Sequence, residues 1–232
     1  MLGYRTKQEV TSIVGADDLI IRSLFDREQF ADPLGEASRM GISSASWPLF
    51  GMLWPSGLQL AAEVAARGLR PGERVLEIGC GLALASIVAH RHGADVTASD
   101  CHPLASSFLK ANLRLNGLAP MKYRHGNWGS LLLPMARNHA SALRSVVGIY
   151  DFIIGSDILY ERDDDALLSR FIQRHASATA EVWVIDPDRS NRAAFSRQMA
   201  TLGFGLSERR LDRVAAIGLP AYKGRLLAYQ RG

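Results

Sequence analysis

The segment Val75-Leu76-Glu77-Ile78-Gly79-Cys80-Gly81 constrains this chain more than any other. An apolar run of strand length breaks at two glycines one residue apart. A small-residue apolar stretch from about Ala83 to His92 follows and stops at Gly93. A strand that passes through a tight turn into a helix, with a second apolar run from Ala94 to Ser99 behind it, is a βαβ unit, which requires a parallel sheet covered by helices. Gly79 and Gly81 allow the backbone to turn sharply and to approach a ligand closely. The helix start behind them offers free N–H groups. Asp100 stands nineteen residues beyond Gly81, at the end of the second strand, where a ribose-binding carboxylate belongs in a nucleoside site.

The rest of the chain repeats the alternation. A helix is predicted from Pro103 to Asn116, with Pro in its first turn and Gly117 just past its end. Strands follow at Met121–Arg124, Ile149–Gly155 and Val182–Ile185, with helices at about 164–176 and 191–202; residues 126–149 are irregular. A strand pair at about 205–213 and 224–230 closes the chain. The expected fold is α/β: a Rossmann-like, doubly wound, mostly parallel seven-stranded sheet with an antiparallel C-terminal edge hairpin. Ahead of it, Glu9–Ile13 and Leu19–Leu24 flank Gly15-Ala16-Asp17-Asp18 and read as a hairpin. Residues 31–55, rich in Gly, Ser, Pro and Trp, read as a long loop. Ser56 and Gln59 have capping-box spacing for a helix from Leu58 to Arg67, ended by Gly68. The division is therefore an N-terminal hairpin and aromatic loop appendage over 1–55 and a main domain over 56–232.

Composition excludes several classes. With 232 residues, 47% of them hydrophobic, the chain can bury a core without disulfide or metal staples. No apolar run approaches the roughly 18 residues of a membrane span, and the first residues lack the apolar core of a signal peptide. The formal charge of +4 is mild and spread along the chain, so it carries no clear nucleic-acid signal. Two cysteines form no disulfide framework, and a reducing cytoplasm is expected. His90 and His92 flank Arg91 at a predicted helix C-terminus, where positive charge suits the dipole, and no further cluster supports a metal.

The glycine turn also discriminates between cofactors. A dinucleotide site wants G-x-G-x-x-G, whereas this chain reads Gly79-Cys80-Gly81-Leu82-Ala83-Leu84. Glu77, two residues ahead of Gly79, would repel a pyrophosphate. S-adenosylmethionine (SAM) carries an ammonium, a carboxylate and a sulfonium but no phosphate, and tolerates that carboxylate. The segment over about 54–230 resembles the seven-strand, class I SAM-dependent methyltransferases. The resemblance implies that the Glu77-x-Gly79-x-Gly81 turn holds the methionine part of SAM and that Asp100 binds the ribose hydroxyls. Cys101, next to Asp100, is placed with them. The family's third small residue is Ala83 here.

After the fourth predicted strand stands Gly155-Ser156-Asp157-Ile158-Leu159-Tyr160-Glu161. Ligands bind beyond the carboxyl ends of parallel strands, so Asp157 and Tyr160 should face the same mouth as Gly79 and Asp100. Their spacing is similar to the Asn/Asp-Pro-Pro-Tyr motif of amino-group methyltransferases, without the prolines, and to Asp-x-x-Tyr of the seven-strand protein-lysine methyltransferases. An amine acceptor must present a neutral lone pair. A lysine of pKa about 10.4 needs about 4–5 kcal/mol to be neutral at pH 7, and a nearby sulfonium disfavours the ammonium. Asp157 could orient the amine and Tyr160 could shield it. The alternative is a loop cap and a packing residue. Ser156 is counted with the cofactor residues.

Two further segments carry the resemblance. Trp54-Pro55-Ser56-Gly57-Leu58-Gln59-Leu60-Ala61 is similar to the W-P-[AGS]-G/A-x-x-L-A stretch of those lysine methyltransferases, including the mitochondrial-type electron-transfer-flavoprotein enzymes and their bacterial relatives, and implies Trp54 near the cofactor. Trp47 and Phe50 would either roof the pocket or staple the N-terminal part to the sheet. Gly126-Asn127-Trp128 matches the place where the superfamily contacts the adenine amino group, which implies cofactor roles for Asn127 and Trp128. His102 could reach the cofactor edge. Asp186-Pro187-Asp188-Arg189 lines the acceptor channel or is a plain loop, while Asn112 and Asn116 suit helix-end packing. The resulting expectation is a SAM-dependent N-methyltransferase that methylates a lysine side chain of a protein by direct in-line transfer. A small-molecule amine methyltransferase and a catalytically silent SAM-binding module are the alternatives.

Overall fold

A computed structural model of the chain describes residues 3–126, 128, 145–215 and 221–231. The elements in chain order are β1 (Thr6–Thr11), β2 (Leu19–Leu24), α1 (Glu36–Arg39), a 3-10 turn at Trp47–Gly51, α2 (Pro55–Arg67), β3 (Arg74–Ile78), α3 (Leu84–Arg91), β4 (Asp95–Asp100), α4 (Ala105–Leu115), β5 (Lys122–His125), β6 (Tyr150–Ser156), α5 (Leu167–His175), β7 (Ala176–Asp186), α6 (Arg192–Thr201), β8 (Phe204–Arg210) and β9 (Arg225–Arg231).

The main sheet has seven strands in the order β5-β4-β3-β6-β7-β9-β8. β3, β4, β5, β6 and β7 run parallel, and β9 pairs antiparallel with both β7 and β8. From β3 the chain winds outward to β4 and β5, then returns to place β6 on the other flank of β3. The direction of winding thus reverses beside β3, which opens a crevice over its carboxyl end. The period-2 alternation of strand side chains divides the core between the two faces of the sheet. Val75, Phe152, Ile154 and Ile185 pack with Leu60, Val64, Ile87 and Phe108. Leu76, Ile153 and Val182 pack on the opposite face with Phe171, Phe195 and Tyr229.

The N-terminal hairpin joins the first of these clusters through Leu19, Ile21 and Leu24. Its β2 edge is closed by side chains of α4. Asn112 Oδ1 accepts from the Arg22 N–H (2.8 Å), and Asn116 accepts from the Ile20 N–H (2.9 Å) while donating to the Ile20 carbonyl (2.8 Å). These asparagines stand in for a third strand and satisfy backbone groups that an edge would leave open.

The structure corrects three local expectations. Residues 31–55 are not one loop, because they contain α1 and the 3-10 turn at Trp47–Gly51. Ser56 is not a capping residue: α2 starts at Pro55 with Trp54 as its N-cap, and the Ser56 hydroxyl instead meets the Tyr222 hydroxyl at 3.1 Å. Proline in the first turn serves there because its missing N–H has no helical partner to lose. The helix expected at 164–176 begins only at Leu167, since the Asp163 carboxylate accepts from the N–H groups of Leu167 (2.8 Å) and Leu168 (2.9 Å).

Candidate active site

The crevice is built on three consecutive reversals of backbone hand. Gly79 (φ 61°), Gly81 (φ 50°) and Ala83 (φ 62°) all lie in the left-handed region. A Cβ at Gly79 would fall 2.9 Å from Ile158 Cγ2, and one at Gly81 would fall 3.0 Å from the Phe50 carbonyl oxygen. Both glycines are therefore required by packing as well as by conformation. Ala83 holds the same hand with a side chain, a strained arrangement for any residue but glycine.

Two buried carboxylates tie this turn in place. Glu77 accepts from the Ser86 N–H at 2.8 Å, in the first turn of α3. Burial pushes its carboxyl up to about 7. Asp100 accepts from the Gly81 N–H and from the His102 N–H, each at 2.8 Å, and burial raises its carboxyl too. Cys101 lies beside it, with its thiol pushed up to about 12 by burial and then by the Asp100 charge. Neither Glu77 nor Asp100 forms an ion pair among the described residues. This chemistry fits SAM: a vicinal diol donates hydrogen bonds to a buried carboxylate, and a cationic ligand offsets two uncompensated negative charges. A pyrophosphate fits poorly, because Glu77 already occupies the α3 N-terminus that would bind it.

The flanks of the crevice come from distant segments. The Trp54 indole N–H donates to the Leu49 carbonyl at 2.8 Å, on the same turn whose Phe50 carbonyl faces Gly81. A Cβ at Gly57 would lie 3.7 Å from Ser156 Oγ, so the start of α2 abuts the end of β6. The Trp128 ring comes within 3.9 Å of the Gly79 Cβ position. Trp128, Ile158 and Tyr160 also line a cavity of about 460 Å³ that continues toward Phe195 and Gln198 on α6 but does not reach Gly79, Gly81 or Asp100.

At the end of β6, Asp157 adopts φ 57°, an uncommon backbone conformation for a residue with a side chain. Its N–H donates to the Ile185 carbonyl at 2.9 Å, and its carboxylate pairs with Arg189 on the turn after β7. Tyr160 is 48% exposed and lines the cavity beside Trp128, and burial, then the neighbouring negative charges, raises its hydroxyl.

The sequence-derived residues thus fall into adjoining groups. Glu77, Gly79, Gly81, Asp100 and Cys101 share one crevice, Trp54, Trp128 and Ser156 stand at its sides, and Asp157 and Tyr160 border its mouth. Asn127 lies outside the described residues. His102 does not stand at a cofactor face. It is 3% exposed and stacked on Phe50 at 3.7 Å beside Trp47, and burial lowers its imidazole to about 3. Trp47 and Phe50 therefore act as a staple between the N-terminal part and α4. The Asp157–Arg189 pair has no local signature in the sequence. It depends on the β6–β7 register, Ser156 beside Ile185, which brings the turn after β7 against Asp157.

Comparison with known proteins agrees with this geometry. A family model described as "Lysine methyltransferase" matches residues 51–199, more than half of the chain. This chain belongs to the lysine methyltransferase family. A protein N-lysine methyltransferase, METTL21A, of Xenopus tropicalis is 30% identical over 173 residues, covering 70% of this chain and 72% of that protein. An electron transfer flavoprotein beta subunit lysine methyltransferase of Danio rerio is 38% identical over 81 residues, covering 32% of this chain and 30% of that protein. A histone-arginine methyltransferase, METTL23, of Homo sapiens is 27% identical over 56% of this chain and 67% of its own length. Magnesium protoporphyrin IX methyltransferase from Synechocystis, solved with bound SAH, has the same fold at TM-score 0.57 and 17% identity, covering 77% of this chain and 84% of that one. The protein is a SAM-dependent methyltransferase, and no helix among the described residues is long and apolar enough to cross a membrane.

Proposed function

We propose that this lysine methyltransferase acts on the ε-amino nitrogen of a lysine in a protein substrate, with Asp157 and Tyr160 at the acceptor side. One observation carries the reading: the loop after β6 lies against the glycine turn, with Ile158 Cγ2 2.9 Å from where a Gly79 Cβ would stand, and Asp157 and Tyr160 flank Ile158 in that loop. In this reading Asp100 holds the ribose hydroxyls, Glu77 and the Gly79–Gly81 turn hold the methionine portion, and Trp54, Cys101, Asn127, Trp128 and Ser156 complete the cofactor's surroundings. When bound, SAM supplies a methyl group on a positively charged sulfur. Asp157 accepts a hydrogen bond from the amine and aims its lone pair. Tyr160 covers the nitrogen with an aromatic face that tolerates a cation. The free thiols of Cys80 and Cys101 suit a reducing, cytoplasmic setting.

The test is labelling of a host-cell lysate with tritiated methyl-SAM, size fractionation and acid hydrolysis of the labelled material. Label recovered as ε-methyllysine from a protein fraction is expected. Recovery as methylarginine, or only in the small-molecule fraction, would overturn the lysine assignment.

A further inference from the structure

The acceptor carboxylate has a cost built into it. A bare carboxylate beside a lysine stabilises the ammonium form, which has no lone pair for attack. The structure contains a group that answers this. Arg189 meets Asp157 through Oδ1, while Oδ2 has no hydrogen-bond partner among the described residues. The Asp157 side chain is 16% exposed and that of Arg189 37%, so the carboxylate is mostly withdrawn from water while the guanidinium reaches the surface.

Arg189 is also held on a fixed platform. Its N–H donates to Oδ1 of Asp186 at 2.8 Å, and Asp186 is fully buried at the end of β7. The neighbouring Asp188, in left-handed conformation (φ 62°), is clamped by Arg192, Arg210 and Arg225. Among the described residues, the charged and titratable groups that interact with Asp157 are Arg189 from the turn after β7, Asp186 at the end of β7, Tyr160 from the loop after β6 and Tyr222 from the β8–β9 connection. Arg189 is the cation of that set.

We propose that Arg189 is a positioning residue for methyl transfer: it pins Oδ1 of Asp157, leaves Oδ2 to the acceptor nitrogen, and cancels the carboxylate charge so that the amine is held as a neutral nucleophile. Asp157 then orients the amine by a hydrogen bond without trapping it as an ion. This rests on the lysine reading above and adds to it the device that lets the amine lose its proton. Removing the guanidinium makes the site more negative, favours the ammonium, and moves the alkaline rise of the rate to higher pH. A charge removed several ångströms away at the effective dielectric of a protein surface corresponds to about one pH unit.

The experiment measures initial rates of tritium transfer from saturating SAM into lysate protein for wild type, Arg189→Gln and Arg189→Lys, across the neutral to alkaline range. Thermal melts and S-adenosylhomocysteine calorimetry accompany each variant. For Arg189→Gln the midpoint of the pH profile is expected about one unit higher, with a rate approaching wild type at the alkaline end and ligand affinity within about twofold. Arg189→Lys, which keeps a cation, is expected to leave the midpoint in place. A midpoint unchanged in Arg189→Gln, whether or not the rate falls, overturns the proposal, because loss of a merely structural contact lowers the rate without moving the profile. Should Arg189→Gln lack a folded transition, Asp157→Asn decides: with the carboxylate gone and the guanidinium kept, the residual rate must rise at lower pH, and a fixed or raised midpoint rejects the mechanism. Wild type that labels no protein lysine instead refutes the underlying lysine reading, which separates the two failures.

Discussion

Replacing Glu77 with glutamine should stabilise the ligand-free protein while weakening its grip on SAM. Glu77 is 3% exposed, and burial raises its carboxyl from the ordinary 4.5 to about 7. A carboxyl whose folded value lies above its unfolded value binds its proton more tightly in the native state. Its contribution to stability is complete below about pH 4.5 and is lost as pH rises through about 7. The separation of the two values, at about 1.4 kcal/mol per unit, puts the loss above pH 7 at roughly 2–3.5 kcal/mol. Glutamine keeps an oxygen to accept from the Ser86 N–H but has no charge to bury. Urea unfolding of wild type and Glu77→Gln at intervals between pH 4.5 and 8 should therefore give curves that agree at the acid end and diverge toward pH 8. There the variant is expected to be more stable by roughly 2–3 kcal/mol, a Tm gain of roughly 5–10 °C for a chain of this size. Asp100 titrates with the same sign, and its charge adds to the rise at Glu77, so relief of that repulsion is part of the difference between the two proteins. Titration calorimetry on the same samples should show weaker SAM binding by the variant, since a partner for the ligand's positive charge is gone. Parallel stability curves across the whole range would refute the argument, because they would mean that Glu77 is ionised in the folded state at no cost.

Three further expectations follow from the same geometry. Asp100→Ala should weaken SAM binding by about 1.5–3 kcal/mol through loss of charge-assisted hydrogen bonds, measured by calorimetry; unchanged affinity would place the ribose elsewhere. Asp157→Ala should keep SAM affinity within a few fold yet lose most transfer to protein lysine, because aiming a nucleophile is worth several kcal/mol; a parallel loss of affinity and Tm would instead make Asp157 structural. Arg67→Met should destabilise the fold by about 3 kcal/mol in denaturant melts, since it leaves Glu73, whose side chain is 2% exposed, with only the Arg70 N–H (3.1 Å) and the more distant Arg70 guanidinium (3.7 Å); a loss below 1 kcal/mol would show that Arg70 alone compensates the charge.

What the sequence alone determined is whatever depends on near neighbours in the chain. The alternation of apolar strands and small-residue helices, punctuated by Gly79, Gly81, Gly93 and Gly117, prescribed a parallel sheet with a ligand turn after β3. The missing third glycine and Glu77 speak against a pyrophosphate from the sequence alone, because charge repulsion and backbone hand are local properties. Asp100 and Asp157 could be placed at one mouth because carboxyl ends of parallel strands share one side of the sheet. Tertiary structure decided everything that rests on register and long-range contact. Ser56 has capping-box spacing, yet Tyr222, 166 residues away, takes its hydroxyl. His102 neighbours the cofactor acid in sequence, yet its ring turns into the aromatic staple with Phe50 and Trp47 because burial among apolar rings suits a neutral imidazole. Asn112 and Asn116 looked like helix-end residues, but only the docked hairpin shows that they complete the edge of β2. Arg189 gained its partner from the pairing of β6 with β7, 32 residues apart in the chain. The short-range pattern sets which elements form and which end of the sheet binds, whereas the charge balance at the reacting nitrogen arises only when distant turns are brought within hydrogen-bonding distance.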